Sequence, residues 1–550
     1  MSDDLTQLAD EYWSALLDVS PTWRHMLGDY GAVGRYEDPS REAEQRQVAM
    51  LRSFAQRAGD LDPTGLDEEQ GLTREVIVAT ATSSADLVDT PRTALAANPI
   101  SGPQVQLPLV LGLLSVPDAE VAAQMPAKLE GVGSYLRHVA ERVRDGASDG
   151  WVSPEFAIRR TLDQIDTALA RPLTEDPVVA AVRVPDGVDA DDLHASLRGA
   201  VEHSLRPGLA ELGEALRGVL PDAPPDDRCG LRWLDGGDDT YAAALRYFTT
   251  TDKSAEEIHE IGLAQVASLA DEYRALGPEA VGTDDLEQIF GAMRSDPALH
   301  FTDAEELVSQ SKIALARAGA EMGEWFEVVP KAPCAVQGTE VGAKAFYFPP
   351  ATDGSRGGTF FINVSDPTSW GRFELEAMAF HEGVPGHHLQ LAIAAELPDS
   401  IPEFRKHLHS SAYAEGWGLY TERLSDEMGL YSGPIDRMGM FSADSMRACR
   451  LVVDTGLHAL GWSRQQAIDY MVANSPLTEG VCRPEIDRYI CTPGQATSYM
   501  VGRLEIQRMR REAEERQGDW FDVRRFHSAV LRSGSLPLDV LDRVVADRLG

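Results

Sequence analysis

Three of the thirteen histidines of this 550-residue chain fall within one short stretch, Phe380-His381-Glu382-Gly383-Val384-Pro385-Gly386-His387-His388-Leu389. Imidazoles suit a borderline divalent ion such as zinc, and a glutamate beside the first can reach water held by that ion. In the zinc motif His-Glu-x-x-His the two imidazoles stand one helical turn apart on one face. Here His381-Glu382 keeps the first half, but position 385 is proline and the next histidines come six and seven residues after His381. On an unbroken helix His387 would point ~120° away from His381, and His388 would stand ~10.5 Å along the axis. Pro385 has no N–H to give the His381 carbonyl, and Gly386 tolerates a distorted turn. A two-residue bulge at Pro385-Gly386 is therefore expected to carry His387 into the place of the second ligand, with His388 as the alternative.

An ion that keeps one position open for water needs a third protein ligand. The segment from Ser411 to Arg423, SAYAEGWGLYTER, reads as a helix, and its Glu415 is the expected third ligand. Gly416 and Gly418 are poor helix formers, so their place beside Glu415 points to close packing or approach to a ligand. Glu422 lies on nearly the same face and is expected to be an ion-pair partner or a support behind the ligands. Glu382 is the expected general base.

The elements that must position these groups are mainly helical. Leu129, Val132, Leu136, Val139 and Val143 recur at steps of three and four within 124–146, which makes one apolar stripe. The stretches 160–171, 253–276 and 496–517 read the same way, and Ser254 followed by Glu257 has the form of a capping box. Strand patterns are scarce. Residues 343–348 and 358–364 are β-rich, separated by the turn-forming 349–357, and are expected to pair as a hairpin beside the histidine motif. Without repeats or a long linker, the chain reads as one helical body over 1–550, with a possible division into lobes of about 1–240 and 241–550 and the site in the second.

Composition narrows the partners. Asp and Glu number 88 against 50 Lys and Arg, a net charge of −38. Such a surface repels phosphate backbones and anionic lipid, so neither nucleic acid nor membrane is an expected partner. The first residues, MSDDLTQLADEYW, have neither a basic region nor an apolar one. Five cysteines without CxxC spacing fit reduced thiols better than a disulfide framework. A cytoplasmic protein is the expectation.

The histidine motif, the Ala-Tyr-Ala-Glu-Gly-Trp-Gly-Leu-Tyr-Thr-Glu-Arg-Leu run of 412–424, and the distal Arg450-Leu-Val-Val-Asp-Thr-Gly-Leu-His458, Gly461-Trp462-Ser463, Arg488-Tyr489 and Pro493-Gly494-Gln495-Ala496 segments together resemble the bacterial family of domain of unknown function 885. They are also similar to zinc oligopeptidases and carboxypeptidases related to thimet oligopeptidase, carboxypeptidase Taq and angiotensin-converting enzyme. Those proteins carry Gly-His-x-Leu where this chain has Gly386-His387-His388-Leu389, which favours His387. The resemblance implies a large, mostly α, zincin-like metallopeptidase fold with a deep cleft and a small hairpin or edge sheet. It gives the distal motifs candidate roles. Tyr499, then His458 and Tyr489, could steady an oxyanion. Arg450, Arg488 and Arg503 could anchor a substrate carboxylate, and strand 358–364 could pair with an extended substrate.

The expected function is zinc-dependent hydrolysis of a peptide or related amide bond in a short, unfolded substrate. Zinc would be held by His381, His387 (or His388) and Glu415, with Glu382 as base. Hydrolysis of a small metabolite by the same site, or peptide binding without turnover, are the alternatives.

Overall fold

The computed structural model describes residues 3–350 and 356–550; part of the expected turn, 351–355, lies outside them. The protein is mostly helical. The stripe from Leu129 to Val143 lies in helix Ala119–Ser148, which begins where the Asp118 carboxylate accepts the Val121 N–H. All five stripe residues are buried, each worth roughly 1.5–3 kcal/mol in apolar surface removed from water. The helix expected at 253–276 runs Ala255–Ala280. Its capping box is formed: Ser254 Oγ accepts the Glu257 N–H, and the Glu257 carboxylate accepts the Ser254 N–H at 2.8 Å. The other two stretches belong to helices Glu155–Ala170 and Ser498–Gln517.

Buried apolar side chains gather around several centres. The largest joins helices near the N-terminus, through Tyr12, Phe54 and Val76, to helices of the second half, through Trp417, Leu451 and Met500. Another draws only on residues 33–219 and centres on Leu129, Leu136, Ile158 and Leu212. The first helices therefore pack against the half of the chain that carries the histidine motif.

A three-stranded sheet lies beside that motif, in the order β1 (Cys334–Thr339), β3 (Gly358–Asn363), β2 (Ala345–Phe348). β2 and β3 form the expected antiparallel pair, with Phe346 opposite Phe361. β1 runs parallel to β3, with Cys334 opposite Gly358. The edge role expected for 358–364 is thereby corrected. β3 is the central strand and its hydrogen-bonding groups face β1 and β2, so a substrate cannot pair with it. Phe360 and Ile362 of β3 pack with Leu315 and Phe380 and so back the motif helix. The five cysteines are unpaired. No helix among the described residues is long and apolar enough to cross a membrane.

Candidate metal centre

The motif helix, Glu374–Glu382, stops at Glu382, and a second helix, His387–Ala395, starts five residues on. The Gly383 N–H still donates to the Ala379 carbonyl at 2.9 Å, but Gly383 itself turns the chain away (φ −96°, ψ −124°). The His388 N–H then donates back to the Gly383 carbonyl at 3.1 Å. At Gly386 the chain lies so close to the helix it has left that a Cβ would stand 1.9 Å from the His381 carbonyl oxygen; only glycine fits there. Trp417 Nε1 donates to the Pro385 carbonyl at 3.0 Å and fixes the connection. The interruption thus spans Gly383–Gly386, longer than the two residues expected, and it returns His387 to His381. Their ring centroids are 4.8 Å apart and nearly perpendicular.

Glu415 faces them from helix Ser411–Glu427. Its Oε2 is 3.6 Å from His381 Nε2 and 3.5 Å from His387 Nε2. The described residues hold one group of three such side chains whose donor atoms all lie within 4.8 Å of one another, and it is this one. Two ligands ~2.1 Å from a tetrahedral ion stand ~3.4 Å apart, close to the separations of Glu415 from the two imidazoles. Behind it, His381 Nδ1 meets Glu422 Oε1 at 2.8 Å, both side chains buried. The two glycines beside Glu415 have separate reasons. A Cβ on Gly418 would stand 2.6 Å from His381 Cε1, and one on Gly416 would stand 2.5 Å from the Gly502 backbone of the crossing helix.

Three carboxylates and two imidazoles share this volume. Burial pulls the His381 pKa down, but the Glu415 and Glu422 carboxylates outweigh it and lift it to about 9. Burial would raise Glu415, yet the two imidazoles hold it well below the usual carboxylate range. The cluster therefore attracts positive charge, which a divalent cation would supply without protonating either ring. The Glu382 carboxylate is buried beside the rings and forms no hydrogen bond or ion pair with the described residues.

The Gly416–Gly502 crossing also brings Tyr499, one turn before Gly502, toward Glu415. Burial raises the Tyr499 pKa and the Glu415 charge adds to it, so the phenol stays protonated at neutral pH. Its ring stacks under the Arg450 guanidinium at 4.6 Å, and its hydroxyl has no partner among the described residues. His409, which the sequence reading passed over, lies within electrostatic reach of Glu415 and His387. It lies two residues before the Glu415 helix and two after His407, and only that proximity to the helix could have pointed to it.

The remaining candidates stand elsewhere. His388 Nε2 donates to the Ala332 carbonyl at 3.0 Å and its Nδ1 meets the Tyr347 hydroxyl at 2.8 Å; both nitrogens are engaged, away from the triangle. His458 accepts the Leu231 N–H on Nδ1 at 3.1 Å and donates from Nε2 to the Tyr489 carbonyl at 3.1 Å. It has no proton or lone pair left for an oxyanion. Tyr489 gives its hydroxyl proton to Glu485 at 2.6 Å and accepts from Arg450 Nε at 2.7 Å. Arg450 and Arg488 also both reach Glu485, and Arg503 is bonded to Asp444 at 2.7 Å and Gln265 at 2.9 Å. These arginines are committed to internal partners. They are not open to a substrate carboxylate.

Comparisons with known proteins extend over the whole chain. No curated protein matches it. The crystal structure of the putative lipoprotein from Colwellia psychrerythraea superposes with a TM-score of 0.91 at 25% identity, covering 100% of both chains. The structure of a putative lipoprotein of unknown function from Shewanella oneidensis superposes with a TM-score of 0.77 at 17% identity, covering 99% of this chain and 100% of that one. Both are described as lipoproteins, and this overturns the cytoplasmic location expected from the first residues and the cysteines. The family described as bacterial protein of unknown function (DUF885) matches residues 21–545, and the chain belongs to that family.

Proposed function

We propose that this protein is a zinc-dependent hydrolase of peptide or related amide bonds in small, unfolded substrates. The observation that carries this reading is the triangle of His381 Nε2, His387 Nε2 and Glu415 Oε2 with the unpaired Glu382 carboxylate beside it. Zinc held there would act as a Lewis acid and bring the pKa of water at its open position toward ~7. Glu382 is free to take a proton from water and pass it to the leaving amine nitrogen. The Tyr499 hydroxyl can donate to the oxygen on which negative charge develops. Glu422 holds the His381 ring so that Nε2, not Nδ1, faces the triangle. The likeness of the motifs to zinc oligopeptidases and carboxypeptidases supports a peptide over other amides. The descriptions of the two solved relatives support an exported or membrane-attached setting.

The test is turnover of a mixed peptide library by the zinc-loaded protein and by Glu382→Gln. The substitution should leave zinc bound and lower turnover at least ~100-fold. Full turnover by Glu382→Gln with its zinc in place rules this mechanism out.

A further inference from the structure

In a chain with 88 acidic residues a cavity without one stands out. A cavity of about 350 Å3 is lined by no Asp or Glu, and Arg92 is its one Lys or Arg. Leu87, Leu95, Val139, Val152 and Ile490 are among its apolar walls. The Arg92 guanidinium forms no hydrogen bond or ion pair with the described residues, while its backbone carbonyl accepts the Leu95 N–H. A carboxylate whose charge acts on it, Glu44, is already bound to Arg142 at 2.6 Å and to the Thr93 hydroxyl at 2.5 Å. The Arg92 side chain is exposed, and neighbouring protein atoms desolvate it enough to lower its pKa. That is the position of a group on a cavity wall.

A second cavity, of about 500 Å3, is lined by Tyr247, Leu408, His409 and Ser411. Helix Gly237–Thr249 borders both: Thr240 and Ala244 face the first, Tyr247 and Phe248 the second. Positions 240, 244 and 247 share one stripe of a helix, and ~10.5 Å separates its ends. Tyr247 is within electrostatic reach of Arg92, and His409 of Glu415 and His387. The two cavities therefore share this helix as a wall, and His409 in the second feels the charges of Glu415 and His387.

We infer that these two cavities belong to one substrate groove leading to the triangle and that Arg92 anchors the free carboxylate of a substrate ending in an apolar group. A guanidinium fork matches a carboxylate through two parallel hydrogen bonds, and the apolar walls receive the side chain next to it. Arg92 takes the role that the sequence assigned to Arg450, Arg488 and Arg503. This rests on the hydrolase reading only for its consequence, that the bond cleaved is chosen by its distance from the carboxylate end.

Calorimetry with N-acetyl-L-phenylalanine and its amide tests the anchor without requiring turnover. The acid should bind the full-length protein at least tenfold more tightly than the amide. Arg92→Gln should bring the acid down to the level of the amide while the unfolding midpoint stays unchanged, since Arg92 has no internal partner. Equal binding of acid and amide by the unsubstituted protein, absence of binding by both, or an undiminished preference in Arg92→Gln overturns the proposal. A preference lost in Arg92→Gln without cleavage of any peptide would sustain the anchor and count against the hydrolase.

Discussion

His381 Nδ1 and Glu422 Oε1 are 2.8 Å apart in a buried pair, while Nε2 of the same ring faces Glu415. A carboxylate behind an imidazole fixes its tautomer and raises the basicity of the nitrogen that faces the metal. The other Glu422 oxygen is buried without a partner, so nothing else accounts for the carboxylate being there. Glu422→Gln should weaken zinc binding about 10–100-fold, read by competition with a chelator. Unchanged affinity would reduce Glu422 to a packing residue.

The two glycines after Glu415 predict opposite phenotypes. Gly418→Ala pushes a methyl group against the His381 ring; the protein should fold and bind zinc poorly. Gly416→Ala meets the Gly502 backbone, which cannot swing aside, and should lower stability by about 1–3 kcal/mol. Thermal melts and zinc content on both variants separate the two effects, and a Gly418→Ala protein with full zinc affinity would contradict the geometry.

His458 should behave as a structural residue. His458→Ala leaves the Leu231 N–H unpaired, at roughly 1–3 kcal/mol, and leaves the Tyr489 carbonyl only the Thr492 N–H at 3.3 Å, with zinc binding intact. Burial lowers the pKa of His458 to about 4, with the bond to the Tyr489 carbonyl resisting that fall. A folded-state value below the ordinary 6.5 means the contribution is present above pH 6.5 and fades as pH falls toward 4. The stability gap between the two proteins in urea titrations should therefore narrow on acidification. A gap that widens would reverse the assignment.

Tyr499→Phe removes one hydroxyl and little else, because that hydroxyl has no internal partner among the described residues. On any peptide the protein cleaves, kcat should drop about 100-fold with KM and zinc content nearly unchanged. A drop confined to KM would make Tyr499 a binding residue.

The triangle was legible because its determinants are local. Pro385 and Gly386 break the helix between two ligands only six positions apart, and Glu415 sits next to the glycines that let its helix come close. Partnership across the fold was not legible. Arg450 meets Glu485 over 35 positions and Arg503 meets Asp444 over 59, so motifs that named these arginines could not show that they were already neutralised. β1 escaped for a related reason: its residues alternate between half-buried and exposed, and it is a strand only through its parallel pairing with β3. His409 and Arg92 stand outside every motif and acquire meaning from the space they face. The location was misread because low cysteine content fits more than one compartment.

The central claim is that two imidazoles and one carboxylate hold a single divalent ion, and X-ray absorption at the zinc edge with elemental analysis addresses it directly. The account predicts one zinc per chain, with two nitrogen ligands and a carboxylate oxygen at ~2.0–2.2 Å, lost in His387→Ala and kept in His388→Ala. A protein that takes up no stoichiometric zinc, or one that keeps it in His387→Ala and loses it in His388→Ala, would contradict the account.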